Sequence, residues 1–533
     1  MERWNPTVEV STREQRLLKL AGKSRKLLVF LREHRHELFD AEFQTELEGM
    51  YRDTGQGEEP RPPALMCMAL LLQAYLQVSD AEAVCLSTTD RRWQVVLGTL
   101  EEEEGEPVFS QGGLQQFRER LVATEMDRRL LEHTVDVAKR TRGFDPKKTP
   151  KTLRVGVDSR PLEGAGRVED TINLLGHAGR KIAESVALVL GTDFNEVCRQ
   201  ADCSLLLASS VKAGLDLDWS EPEAKVDALN RLCRQLDRLM AWVMKHAGSC
   251  PVDEPLTRYI EALTQVREQD LEPNGSGGLQ IRQGVAADRR ISIEDADMRH
   301  GRKSKSKRFN GYKQHVATDL DSELVIACAV TPANRPEDEA TVDLEEDMVR
   351  QSMFPDVLFI DRGYINSPLA ADVLARGGNL VARPWSSISP KPGLFGKRDF
   401  NINVRDGTIT CPAGEVEAFE PGAVVHFDPE ACGPCKLRPQ CTQAATGRGR
   451  SVTMGDDEAL QKRLRGRMHS HAGREQLRER VGVEHRLAHL GNRQGPKARY
   501  RGTRRNLFDL RRLSAVQNLE VVARHLRDQV LTS

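Results

Sequence analysis

The stretch Leu153-Arg154-Val155-Gly156-Val157-Asp158-Ser159 decides the fold. It is short, β-rich and apolar, and it delivers a carboxylate at its end. Val on both faces of such a strand places it in a covered sheet. A carboxylate on that strand must be paired, hydrogen-bonded or bound to metal, because burying it bare is costly. Working outward, a second run has the same grammar: Val357-Leu358-Phe359-Ile360-Asp361-Arg362-Gly363-Tyr364. Four apolar residues end in Asp361, and a glycine then turns the chain. Taken singly, each Asp is equally a helix cap or a turn residue after a strand. Taken together, they suggest one divalent-metal site at a sheet edge.

A third part lies near the C-terminus, in Arg474 to Leu487. Leu477, Val481, Glu484 and Leu487 fall at helical spacing, which predicts that Glu484 lies in line with the apolar, core-facing stripe. Arg480 stands one turn earlier, and a plain Arg480–Glu484 helix ion pair is the alternative reading.

These three parts, in the strings VDSRPLEGAGRVEDT, FIDRGY and RVGVEHRLAHLG with ARYRG and NL downstream, resemble the DDE transposases of bacterial insertion sequences. The resemblance runs from about Phe39 to Leu519. It implies membership of the retroviral-integrase superfamily: an α/β catalytic core of RNase H-like type, a mixed sheet flanked by helices. It further implies metal-dependent cleavage at transposon ends and strand transfer into target DNA. Asp158, Asp361 and Glu484 would hold two Mg²⁺ or Mn²⁺ ions, one activating water and later a 3′-hydroxyl, the other stabilising the leaving oxygen. Arg362, Tyr364 and Arg480 would contact phosphate or support the ligands. Relatives often carry a Tyr three residues before the Arg and a Lys seven after the Glu; here Leu477 and Gly491 stand there. Any such basic role passes to Arg486, Arg493 or Lys497. A metal-dependent nuclease on the same core, or an inactive DNA-binding relative, are the alternative functions.

Length and composition fit this reading. At 533 residues the chain is expected to hold several domains, with 39% hydrophobic and 29% charged residues. No run approaches a membrane span, and the first residues lack a signal-peptide core. Eleven cysteines, mostly single, favour a reducing cytoplasm, where the protein would meet the bacterial nucleoid. Net charge is −1, but it is unevenly placed. Arg299 to Lys313 carries seven Lys or Arg and no acid, and Lys497 to Arg512 carries seven against Asp509. Arg302, Lys303, Lys305, Lys307, Arg308 and Lys313 form the first DNA-binding set, and Lys497, Arg501, Arg504 and Arg505 the second.

The expected organisation has a helical N-terminal domain, residues 1–150, which the resemblance implies binds transposon ends or dimerises; from the residues alone a plain helical bundle is equally consistent. Its helix after Pro60, Pro62 and Pro63 shows a stripe of Leu65, Met68, Ala69, Leu72 and Leu76. Residues 151–533 form the catalytic domain, entered through a basic connector at 143–152. A helical insertion, 172–298, interrupts it, with a flexible linker at Pro273 to Gly278. The basic tract then leads into a β-hairpin of Gln314 to Thr318 and Leu324 to Thr331. A cysteine-rich insertion, 391–460, carries Cys411, Cys432, Cys435 and Cys441. The spacing lets four thiolates meet one tetrahedral ion, so structural zinc is preferred over a redox CxxC pair. The partners expected are transposon-end and target DNA and further copies of the chain, as a homodimer or larger; no membrane is expected.

Overall fold

The computed structural model describes residues 2–22, 25–51, 59–101, 106–140, 152–215, 217–247, 254–304, 306–387 and 391–532. The connector at 143–152 therefore falls outside the described residues apart from Thr152, as does Lys305. Contacts divide the chain into two compact units. The first comprises Met1–Lys151, Asp158–Phe354 and Val483–Ser533; the second comprises Thr152–Val157 and Pro355–Gly482.

In the first unit the N-terminal residues are helical, as their spacing predicts. Pro63 opens helix α1 (Pro63–Leu76), where a missing N–H does no harm. The expected stripe understates its burial: every residue from Pro63 to Ala74 is buried, so α1 is a core helix, its buried Gln73 bonded to Asp80 and Arg512. Ser79 and Ser110 cap the helices that follow, each accepting a backbone N–H from the third residue on. Helix α2 (Met126–Arg140) completes the N-terminal set. Helices α3 (Thr171–Leu190), α4 (Pro222–Ala247) and α5 (Leu256–Asp270) form a hydrophobic cluster of their own. Asp170 caps α3 through the Asn173 N–H.

The expected linker after α5 is an ordered hairpin instead. Leu271–Pro273 pairs antiparallel with Leu279–Ile281, and Asn274 Oδ1 accepts the N–H groups of Ser276 and Gly278. That side chain replaces the backbone turn, which composition alone does not reveal.

The main sheet is mixed. Strand β1 (Arg154–Glu163) enters both units: residues up to Val157 belong to the second and the rest to the first. In the first unit, β2 (Arg299–Arg302), β3 (Arg308–Asp319) and β4 (Val325–Pro332) run antiparallel in turn, β3 pairing with both of its neighbours. The β3–β4 hairpin is the one expected, turned by Asp319, whose carboxylate accepts from the Asp321 and Ser322 N–H groups. Gly311 of β3 approaches β1 so closely that a Cβ there would lie 2.2 Å from the Leu162 carbonyl oxygen, which excludes any side chain. Helix α6 (Thr341–Arg350) packs on β4.

In the second unit β5 (Val357–Phe359) pairs parallel with Arg154 to Gly156, and β6 (Asn379–Val381) pairs parallel with β5. The helix Pro368–Ala375 makes the crossover between them, as parallel strands require. The sheet order is β2-β3-β1-β5-β6, with β4 on β3. A small β region then carries the cysteines, with a core of Phe400, Ile409, Val425, Phe427, Val452 and Met454.

Helix α7 (Val481–Gln494) and helix α8 (Thr503–Thr532) end the chain. Within the first unit α8 packs against α1, α2 and β4, so the N-terminal helices and the C-terminal helix share one core. Asn518 on α8 reads the strand edge: its Nδ2 donates to Val325 O, and its Oδ1 accepts the Val325 N–H, both at 2.8 Å. No single described helix is long and apolar enough to cross a membrane.

Candidate active site and basic surfaces

Contrary to expectation, β1 is not covered on both faces: Val155, Gly156 and Val157 are buried in succession and the next four residues are half-buried, because the two valines lie two residues apart and share one face. Val155 and Val157 are fully buried on one face, and Asp158 is half-buried on the other. Asp158 Oδ1 accepts the Ser159 N–H at 2.7 Å. On the opposite face, the Ser159 hydroxyl donates to Glu337 Oε1 at 2.6 Å.

Asp361 is half-buried and stands two residues beyond β5, where Arg362–Tyr364 form a single 3₁₀ turn. It caps that turn, its Oδ1 accepting the Gly363 N–H at 2.7 Å. Gly363, inside the motif, therefore presents its N–H to the carboxylate. Arg362 is exposed, but Tyr364 is fully buried. Tyr364 is accordingly a core side chain, placed to support Asp361 from within rather than at the surface.

Glu484 departs from expectation. The buried residues of α7 are Val483, Leu487 and Leu490, and Glu484 is exposed beside them. The predicted stripe fails because Arg480 ends one helix, His471–Glu479, before α7 begins. Leu477 and Val481 therefore lie on separate helices, and Val481 is 41% exposed. Glu484 lies instead in the first turn of α7, where a carboxylate meets the positive end of the helix dipole.

The basic candidates divide. At the β2–β3 turn Arg302 and Arg308 are register partners, and these two with Lys303 and Lys307 are exposed. Lys313 is half-buried and donates to the Arg335 carbonyl at 2.7 Å. Lys497 and Arg505 are exposed, whereas Arg501 pairs with Glu294. Arg504 is half-buried and holds Asp127, a fully buried acid, at 2.5 Å. On α7, Arg486 lies 3.2 Å from Glu323 and Arg493 lies 2.7 Å from Glu520. At 100° per residue both point roughly opposite to Glu484.

In the second unit the four cysteines of the insertion converge. Cys411 follows the strand Thr408–Thr410, Cys432 ends one short helix and Cys441 ends another. With Cys435 they line one cavity of about 270 Å³ beside Phe395 and Phe427. All four are free thiols. Burial pushes the Cys441 thiol up, and the other three cysteines add to this against the nearby Arg450. Arg450 also donates to the Cys441 carbonyl at 2.9 Å.

Carboxylates and thiolates are donors of the right type for hard cations and for zinc respectively. Among the described residues, however, no group of three or more His, Cys, Asp or Glu side chains is arranged to hold a metal ion. Sequence reasoning overlooked Arg160, whose guanidinium lies across Gly491 of α7. The available signal was its place two residues after Asp158, on the same strand face.

Two family models match the chain. One, described as a transposase DDE domain, covers residues 282–519, and the other, described as Transposase domain (DUF772), covers residues 23–120. The first match contains Asp361 and Glu484 and begins after Asp158. Neither a curated protein nor a solved structure matches.

Proposed function

The chain belongs to the DDE transposases of insertion sequences, and we propose that Asp158, Asp361 and Glu484 are the carboxylates of its reaction. The observation that carries this reading is the matched region 282–519, which includes two of the three in the family's order. Asp158 is added because it ends the first apolar run, as Asp361 ends the second.

Transposase activity makes DNA the partner. The proposed reaction is hydrolysis of a phosphodiester at each transposon end, followed by attack of the freed 3′-hydroxyl on a target phosphodiester. DDE transposases use divalent metal ions. Two Mg²⁺ or Mn²⁺ ions are the proposed pair, since such ions lower the pKa of a bound nucleophile and offset charge on the leaving oxygen. The chain's own part is to present three hard oxygen donors. Asp158 and Asp361 are each oriented by a backbone N–H at 2.7 Å. Glu484 is held at the start of a helix.

The proposed core is RNase H-like, supported by a mixed sheet whose antiparallel strands β2–β4 adjoin the parallel set β1, β5 and β6. Residues 1–150 are proposed to recognise transposon ends and to pair copies of the chain, in a bacterial cytoplasm at the nucleoid. Residues 151–533 are proposed as the catalytic part, with 172–298 and 391–460 as insertions. Cys411, Cys432, Cys435 and Cys441 are proposed to take one structural zinc ion, supported by their convergence on one cavity.

Cleavage of a labelled transposon end with Mg²⁺ tests the carboxylates. Asp158→Asn, Asp361→Asn and Glu484→Gln keep side-chain shape and remove charge, so each abolishes cleavage and leaves end binding in a gel shift intact. Full cleavage by any one of them removes that residue from the site.

A further inference from the structure

Arg160 occupies an unusual place in the first unit. It lies two residues beyond Asp158 on β1, so the two side chains leave the same face of the sheet. Its Nη2 donates to the Gly495 carbonyl at 2.8 Å, just past the end of α7. A Cβ built on Gly491 would lie 2.8 Å from its Nη1 and 3.3 Å from its Cζ, so the guanidinium covers the bare backbone of that glycine. Gly491 is seven residues after Glu484, which places both on nearly the same side of α7, about 20° apart. Arg160 thus bridges the strand face that bears Asp158 and the helix face that bears Glu484.

The guanidinium is also under-satisfied. Nη1 is buried and has no hydrogen-bond partner. Burial pulls the Arg160 pKa down to about 10, with Asp509 the acid that opposes this. A residue kept only for packing would be better replaced by an apolar side chain, since an unpaired buried donor destabilises the fold. The cations of α7 itself, Arg486 and Arg493, cannot substitute, because they face the other way and are paired with Glu323 and Glu520.

We propose that Arg160 is a positioning residue for DNA cleavage: it fixes the spacing between Asp158 and Glu484 and supplies the positive charge on their shared face. Gly491 is the gap that admits it. The inference rests on the reading of Asp158 and Glu484 as reaction carboxylates, and it adds a residue that touches their supporting elements. Loss of the guanidinium leaves both acids present but lets strand and helix slide relative to each other. Displacements of about 1 Å at such a site reduce rates on the order of 10²-fold.

The test compares Arg160→Gln, Arg160→Lys and the relocated cation Arg160→Ala with Gly491→Arg, in full-length protein. End cleavage is followed across a Mg²⁺ titration, with end binding by gel shift and thermal melting alongside. The expected result for Arg160→Gln is cleavage slowed on the order of 10²-fold, a higher Mg²⁺ requirement, and near-normal end binding. Arg160→Lys and the relocated cation recover rate and Mg²⁺ requirement. Wild-type rate and Mg²⁺ dependence in Arg160→Gln overturn the proposal, as does a defect that neither recovery variant reverses. If Arg160→Gln melts early, the relocated cation decides: recovered cleavage supports the proposal and failure overturns it. Asp158→Asn and Glu484→Gln run in parallel keep the two readings separate. Their cleaving normally overturns the carboxylate assignment; their inactivity beside a fully active Arg160→Gln overturns only the role of Arg160.

Discussion

The Arg511 guanidinium lies 3.2 Å from the Asp127 carboxylate and joins α8 to α2, with neither side chain more than 2% exposed. The same guanidinium reaches Asp347 of α6 at 3.2 Å, and Arg128 meets Asp347 at 2.9 Å. Burial pushes the Asp347 carboxyl up, and Arg511 and Arg128 oppose it. Removing one partner from such a network strands a buried charge. Arg511→Met is therefore expected to lower stability to urea by about 3–5 kcal/mol. A decrease below about 1 kcal/mol would class the pairing with ordinary surface bridges.

His133 gives the first unit an acid limit. Its ring stacks on Phe43 with centroids 3.9 Å apart, and Nε2 lies 2.8 Å from the Leu38 carbonyl. Burial, with Arg129 nearby, lowers its pKa to about 4. The unfolded chain takes up this proton near pH 6.5 and the folded chain does not. Stability present above pH 6.5 is thus lost as the pH falls toward 4, at about 1.4 kcal/mol per pH unit. His315, lowered to about 3 by burial with Lys313 adding, acts in the same direction. Melting followed from pH 7 to 4 shows the decline, and His133→Gln makes it shallower. An unchanged slope in that variant would assign the titration elsewhere.

The turn between β2 and β3 carries exposed Arg302, Lys303, Lys307 and Arg308. Lys303→Glu with Lys307→Glu is expected to weaken DNA binding and to reduce its salt dependence, by about 0.9 in the log–log slope for each phosphate no longer neutralised. Melting stays unchanged, because these side chains lie outside the core. Identical salt curves for the variant and the parent would make the turn a solvated loop.

For the cysteine cavity, metal content is the measure. Purified protein is expected to carry one zinc per chain and Cys435→Ser markedly less, with the small β region unfolding at lower temperature. Equal zinc in both proteins refutes the assignment.

What the sequence reveals is mostly local. The two apolar runs ending in Asp158 and Asp361, the β3–β4 hairpin and the caps Ser79, Ser110 and Asp170 depend on neighbours within a few residues. Periodicity misplaces Glu484 because a helical period cannot be carried across the break at Arg480. The ion pair of Arg504 is not legible because its acid, Asp127, lies 377 residues away. Gly491 reads as an absent basic residue, and only folding places the Arg160 guanidinium over it. The hairpin at Asn274 looks like a linker because its order comes from one side-chain oxygen.

The burial of α1 on every side has a consequence during synthesis. Part of its cover is α8, which begins at Thr503, so this apolar helix leaves the ribosome long before its partner is translated. At about 5–20 residues per second the interval from Leu76 to Thr503 is roughly 20–90 s. Through that time the nascent chain presents an uncovered greasy surface, open to chaperones. A message truncated before α8 leaves it that way permanently.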